Sequence, residues 1–345
     1  VNYKAFLYDV FQLSLNVRTI SLQPLSQSDA SIMDSHKIDS HNPPETLHLI
    51  IEAGVAKSKL PWIDLFVKSF FGGFFIALGG LIDLVVAGGS PSLRASNPAL
   101  ATVIAGFFFP TGFVLILLTN TELATSNFFT MTASTFARRT SPYALVKNWI
   151  VTYTLNIAGA LFFAGILAWW SDTLQTDAQS SYAVSQAEPR VNVNWGYNFT
   201  RGIGCNLLVS LAMYLATSGR DNTSKIYGIY IPIWAFVILG YQHSIANYMN
   251  VPIGMFYGTS FGVGKFIWAS CIPVTLGNIV GGSVFFGLPM WVMYGRGPAI
   301  VNEAGMSGMK AGEDKEEMGR NGAIGNGGAA TGHDRNYSHD GANAV

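Results

Sequence analysis

Charge is scarce in this chain: Asp, Glu, Lys and Arg make up 12 % of its 345 residues, about half the share usual in soluble domains. The 20 basic residues are balanced by 20 acidic ones, so there is no basic footprint on which nucleic acid could be held. Cysteine is scarcer still. Cys205 and Cys271 both fall in apolar segments, which excludes a disulfide framework and a Cys-x-x-Cys metal site. His243 has no Cys, Asp or second His near it in the sequence, so neither a catalytic cluster nor a bound metal or cofactor is expected, and the chain does not read as an enzyme.

Apolar residues are what the chain has in quantity, at 50 %, with 13 % aromatic. A membrane span needs about 20 largely apolar residues. Five stretches reach or approach that length, over residues 64–87, 99–119, 144–170, 200–217 and 267–294. Residues 226–241 and 248–256 are each too short, but joined through the polar run between them they make a sixth span with a break. The second span is likewise resumed after a polar interruption, by residues 127–137. The fold class predicted is therefore an all-α membrane protein of six transmembrane helices, with helices 2 and 5 broken. Ahead of the first span, residues 45–60 carry Leu47, Leu49, Ile50, Ile51 and Val55 at roughly helical spacing, which suits an amphipathic helix on the bilayer surface.

An even number of spans puts both termini on one side. Lys57, Lys59, Arg138, Arg139, Lys147, Arg220, Lys225 and Arg296 lie on that side, against Arg94, Arg190, Arg201 and Lys265 on the other. That bias predicts cytoplasmic termini. Residues 17–45 are rich in Ser, Asp, His and Pro with little apolar periodicity, and 297–345 turn to Gly, Asn, Asp, Glu and Lys; 1–45 and 297–345 read as disordered cytoplasmic tails around a membrane domain over residues 46–296. A sequon at Asn198 stands at the very end of the external loop 171–199, where a glycan would be crowded by the membrane; those at Asn222 and Asn336 fall on the inner side.

The polar interruptions match one another. Glu122-Leu-Ala-Thr-Ser-Asn127 and Gln242-His-Ser-Ile-Ala-Asn247 each place a Glu or Gln five residues before an Asn. The halves containing them hold three spans each and so run in opposite orientation. Corresponding broken helices in inverted repeats point to a central translocation site. A break leaves free carbonyls on one side and free amides on the other, and Thr125, Ser126, Asn127, Ser244 and Asn247 are residue types that cap such ends. A histidine inside a span is a functional-site candidate, and its imidazole suits an anion, a proton or both. Glu122 at that depth should be protonated or bonded to amides of the break.

Four motifs carry a resemblance: Phe109-Pro-Thr-Gly112, Thr121-Glu-Leu-Ala-Thr-Ser-Asn127, Gly240-Tyr-Gln-His-Ser-Ile-Ala-Asn247 and Pro273-Val-Thr-Leu-Gly-Asn-Ile-Val-Gly-Gly282. In this order they resemble the formate/nitrite transporter family, over about residues 46–295, and the tails and inner loops look similar to its fungal nitrite-transporter branch. The resemblance implies an aquaporin-like fold in the plasma membrane, assembled as a homopentamer with one pore per protomer, passing nitrite or formate with a proton. By position it implies that His243 is the central pore histidine and Thr125 the threonine of the first break. Phe109, Phe113 and Phe236 would form apolar constrictions, Asn206 and Asn278 would support the breaks, and Arg190 would stand in the external vestibule. Ala124 replaces a larger apolar residue at the outer constriction, and Gln242 replaces a Glu beside His243. A pore for a neutral solute such as water, ammonia or glycerol uses the same half-helix plan and is the alternative.

Overall fold

Described here is a computed structural model covering residues 40–296. The tails lie outside these residues apart from 40–45, as does the sequon at Asn336. Helix α1 (Pro43–Ser58) begins two residues ahead of the expected start at 45, because Asn42 and Glu45 form a capping box and Pro43 occupies the first turn, where a missing amide costs nothing. Its stripe of Leu47, Ile50 and Ile51 is buried against Phe129, Ala133 and Met290. The helix is therefore docked on protein, and Leu49, which the spacing had grouped with that stripe, points outward at 38 % exposure.

The crossing elements follow: α2 (Trp62–Gly88), then α3 (Pro98–Leu118) and, after a break, α4 (Ala124–Phe136), then α5 (Pro142–Trp170). Five further elements complete the described chain: α6 (Asp177–Val191), α7 (Trp195–Ser218), α8 (Asn222–Ile238), α9 (Ser244–Phe256) after a second break, and α10 (Val263–Gly295). Five helices, α2, α3, α5, α7 and α10, are long and apolar enough to cross a membrane. The sixth crossing is α8 continued by α9, as the broken-span reading expects.

Helix α6 corrects the reading of 171–199 as a loop. Thr176 and Gln179 make a capping box at its start, and Ala183, Ala187 and Val191, four apart, are its buried residues. Small side chains at that spacing give little hydropathy signal. It makes the repeat five elements long rather than three, since α1 packs on α4 as α6 packs on α9. Lys57 and Arg190 each stand one residue before the end of their helix, and five residues later Trp62 and Trp195 open α2 and α7.

The half-helices α4 and α9 form the centre. Residues 124–134 are buried without exception, and of residues 244–254 all but Tyr248 are. Glycines allow the close approach of the helices around them: a Cβ on Gly73 would collide with the Asn156 carbonyl, and one on Gly277 with that of Phe199.

Candidate functional site

The two breaks share one backbone design. Each opens on a residue in the left-handed region, Asn120 (φ 53°) and Gly240 (φ 66°), where Gly and Asn carry the least strain. The next amide, of Thr121 or Tyr241, returns to the carbonyl five residues back, Ile116 or Phe236. Glu122 N–H then donates to the Lys68 carbonyl of α2, and Gln242 N–H to the Arg201 carbonyl of α7.

Asparagines from the third crossing of each half hold the breaks open. Asn156 Oδ1 accepts from Ala124 N–H (2.8 Å) while its amide donates to the carbonyls of Ser69 (2.5 Å) and Glu122 (2.9 Å). Asn278 accepts from Ser244 N–H (2.9 Å) and donates to Gly202 (2.9 Å) and Gln242 (3.0 Å). Asn206 acts one step back, donating to the Asn278 carbonyl at 2.7 Å. The support expected of Asn278 and Asn206 is thus geometrically present, whereas Asn156 was missed. Its signal was the spacing: Asn148 and Asn156 in α5 stand where Ser270 and Asn278 stand in α10, eight residues apart in each.

Capping differs from the expectation. Ser126 Oγ and Ser244 Oγ are buried without a protein partner, and the first amides of α4 and α9 are taken by Asn156 and Asn278 instead. His243 itself is the side-chain cap of α9, its Nδ1 accepting from Ala246 N–H at 3.0 Å. A backbone amide can only donate, so the neutral ring carries its proton on Nε2. That atom meets Thr125 Oγ1 at 2.8 Å, and the hydroxyl accepts, keeping its own hydrogen to give elsewhere. Residues 118 apart in sequence, one from each break, thereby meet in the core.

Glu122 is not bonded to backbone amides of its break. Its carboxylate takes an ion pair from Lys57 Nζ at 2.6 Å and an amide from Asn127 at 2.7 Å, and Asn127 also donates to Asn148 (2.9 Å). The matching bonds of the second break are neutral: Asn247 donates to Gln242 Oε1 and to Ser270 Oγ, both at 3.2 Å. Lys57 was read only as a topology marker, since nothing in the local sequence reveals a partner 65 residues away.

Aromatic rings close the approach to His243. Phe109 and Phe236 meet edge to face with centroids 5.6 Å apart, and Phe236 stacks on the imidazole at 6.0 Å. Phe113 is fully buried in the same apolar cluster, with Leu123 and Ile245, and Ala124 is fully buried beside them. Beyond the rings a cleft of about 320 Å³ opens on the face that carries α6, lined by Arg190, Arg201, Asp83, Tyr182, Gln186 and Gln242. It shares Asp83, Arg190, Val237 and Gly240 with a smaller cavity bounded by Phe109, Phe236, His243, Asn247 and Asn250. Arg190 donates to the Gln186 carbonyl and to Gln186 Oε1; burial lowers its guanidinium from the ordinary value, and Asp83 and then Tyr182 oppose that.

Asn198 closes the glycan question. It is fully buried, with its amide donating to the Arg190 and Ala269 carbonyls at 2.9 and 2.7 Å, so it offers no acceptor nitrogen. Among the described residues no group of three or more His, Cys, Asp or Glu side chains could hold a metal.

Known proteins share this arrangement. The profile of the formate/nitrite transporter family matches residues 44–292. An uncharacterized transporter of Bacillus subtilis is 38 % identical over 252 residues, 73 % of this chain and 93 % of its own. A probable formate transporter of Methanothermobacter thermautotrophicus is 36 % identical over 270 residues, 73 % of this chain and 97 % of its own. Among solved structures, a pentameric formate channel with formate bound aligns at a TM-score of 0.59 with 27 % identity, over 67 % of this chain and 97 % of that one. The paired breaks, the inverted halves and these matches place the chain in the formate/nitrite transporter family, as a membrane transport protein rather than an enzyme.

Proposed function

We propose that the protein conducts a small monovalent weak-acid anion together with a proton, along a path from the cleft at Arg190, past Phe109 and Phe236, to the Thr125–His243 pair. The observation that carries this reading is the 2.8 Å contact between Thr125 Oγ1 and His243 Nε2, a polar pair from both breaks set behind apolar rings. A bare anion would lose its hydration at those rings without replacement, at a cost of many kcal/mol. The neutral acid would not.

Arg190 and Arg201 attract the anion to the mouth, where it takes up a proton. Thr125 then donates its free hydroxyl hydrogen to an oxygen of the acid while His243 holds the hydroxyl in place. In this account the proton travels with the substrate. His243 keeps its Nδ1 on Ala246 N–H, so its part is to orient Thr125 and polarise the site. Phe113 and Leu123 extend the apolar lining beyond the pair, and Ala124 leaves it wider.

Nitrite and formate present the same bent pair of oxygens, and the site as built suits either. Nitrite is the first candidate, on the likeness to the fungal branch. Formate is the second, supported by the relatives named for formate. We assign the α6 face to the outside and the α1 face, with both termini, to the cytoplasm, on the basic-residue bias, in the plasma membrane. Exposed apolar residues such as Trp62, Ile63, Ile150, Trp170 and Trp268 then meet lipid or neighbouring protomers, and the solved pentameric relative supports a homopentamer. The domain limits proposed remain 46–296 with polar tails on either side.

Uptake of labelled nitrite and formate by cells expressing the protein, at several external pH values, tests the reading. Uptake that rises with external acidity supports it. Flux of water, ammonia or glycerol indifferent to the proton gradient, with no uptake of either anion, would replace it with the neutral-solute pore.

A further inference from the structure

The inverted repeat supplies its own control, because each side chain in one half can be compared with its counterpart in the other. On the α1 face, Lys57 is neutralised by Glu122, a residue of the break that is only 1 % exposed. On the α6 face the counterpart cation is Arg190 and the counterpart of Glu122 is Gln242, which carries no charge. A carboxylate from another element shares the space with Arg190 instead: Asp83, on α2, lines both the cleft and the cavity behind it, as Arg190 does. Counting from Trp62 and Trp195, the α7 counterpart of Asp83 is Ala216. The α6 face therefore has an acid at a position where the α1 face has none.

Its neighbours come from several elements. From α6, Arg190 and Tyr182 face it, and the Tyr182 hydroxyl is pushed up to about 12 by burial and then by Asp83, against Arg190 and Arg94. From the short helix Pro91–Ser96, Arg94 lies over the Tyr182 ring at 4.4 Å. Arg201 comes from α7 and Gln242 from the second break, and Asn250 of α9, 5 % exposed, has an Oδ1 without a protein partner. Asp83 is the one acidic side chain lining either space. Glu122, in contrast, is sealed.

We propose that Asp83 sets the charge of the anion-collecting cleft according to external pH: ionised, it offsets Arg190, and protonated, it leaves the arginines of the cleft uncompensated. Anion concentration at the mouth then rises under the same external acidity that supplies the co-transported proton. The electrostatic part stands on the geometry alone; its use in anion supply rests on the transport reading above.

The test measures cleft potential without transport. Thr102, an exposed residue on the cleft rim, is replaced by cysteine in the full-length protein, and the rates of its labelling by an anionic and a cationic methanethiosulfonate are compared. Cys205 and Cys271 are buried and give little background. The ratio cancels the reactivity of the thiol itself. With Asp83 present, the anionic-to-cationic ratio should climb as pH falls from about 7.5 to about 3.5, a range that includes the ordinary Asp value of about 3.9. In Asp83→Asn or Asp83→Ala, the latter copying the α1 half, the ratio should start about three- to tenfold higher, as expected for removing one charge several Å away at intermediate dielectric, and stay flat. Whichever variant reaches the membrane decides. Ratios that coincide with and without Asp83 at every pH overturn the proposal. Uptake assays run in parallel keep the claims separate: absent nitrite and formate uptake with a pH-dependent ratio would sink the transport reading and leave the role of Asp83 standing.

Discussion

The first break and the second have the same backbone and opposite electrostatics. Left-handed residue, five-residue return, asparagine clamp and Asn–Glu or Asn–Gln bond recur in both. They part in their side chains: Glu122 corresponds to Gln242, Leu123 to His243 and Thr125 to Ile245. The first break is a closed, ion-paired structural element; the second exposes a neutral loop and a histidine to the cleft and cavity of the α6 face. What the comparison teaches is that the scaffold alone does not make the site. The site arises where one break gives up its carboxylate and gains an imidazole, and where Thr125 of the other break reaches it.

The comparison breaks most severely at Glu122. Glu122→Ala strands Lys57 beside a buried, partly unsatisfied break, and should cost about 3–5 kcal/mol of stability, read as loss of the folded oligomer in detergent. Gln242→Ala, at the same position of the other half, removes two neutral hydrogen bonds, from Asn247 and to the Gly240 carbonyl, and should cost about 1–2 kcal/mol. Equal costs would contradict the contrast between a charged and a neutral break.

His243→Leu copies Leu123 and makes the halves alike. Uptake should fall by about 100-fold or more, the scale of losing a pre-set polar contact in a water-poor site, while stability falls only by the cap, about 0.5–2 kcal/mol. Thr125→Val keeps the shape and removes the hydroxyl. About tenfold lower uptake is expected, corresponding to one lost hydrogen bond of some 1.4 kcal/mol, and Thr125→Ser should recover most of it.

The smallest effect concerns the tether between α6 and the loop before α10. Glu188 accepts from Ser260 N–H (2.6 Å) and Ser260 Oγ (2.8 Å), and the Ser260 bonds hold its carboxyl below the ordinary range. A depressed carboxyl contributes above its unfolded value and loses the contribution as pH falls through the folded one. Hydrogen-exchange protection in residues 257–262, taken relative to the intrinsic rate at each pH, should therefore be unchanged by mild acid, to about pH 5, and should fall only in stronger acid. Glu188→Gln should lower that protection at neutral pH.

Much of this was legible beforehand. Span length, the two interruptions and the Glu/Gln-to-Asn spacing gave six crossings, two broken, in inverted halves, because those features are local and periodic. Thr125 and His243 were each singled out, one in each break, but their direct contact at 2.8 Å was not foreseen. What stayed hidden was non-local or weakly patterned. Asn156 and Lys57 act on residues 34 and 65 positions away, and α6 buries alanines that hydropathy does not register. The capping role of His243 also escaped, since serines beside it are the usual caps and here leave their oxygens unpartnered. Asp83 sat inside an apolar span with no neighbour in sequence to mark it.

The central claim is that an anion and a proton pass together at the Thr125–His243 pair. Vesicles containing the purified protein, loaded at neutral pH and placed in acidic medium with labelled nitrite or formate, test it most directly. The account predicts uptake that accumulates against the anion gradient while the pH gradient lasts, collapses with a protonophore, and is absent in His243→Leu. Uptake indifferent to the protonophore, or undiminished in that variant, would contradict it.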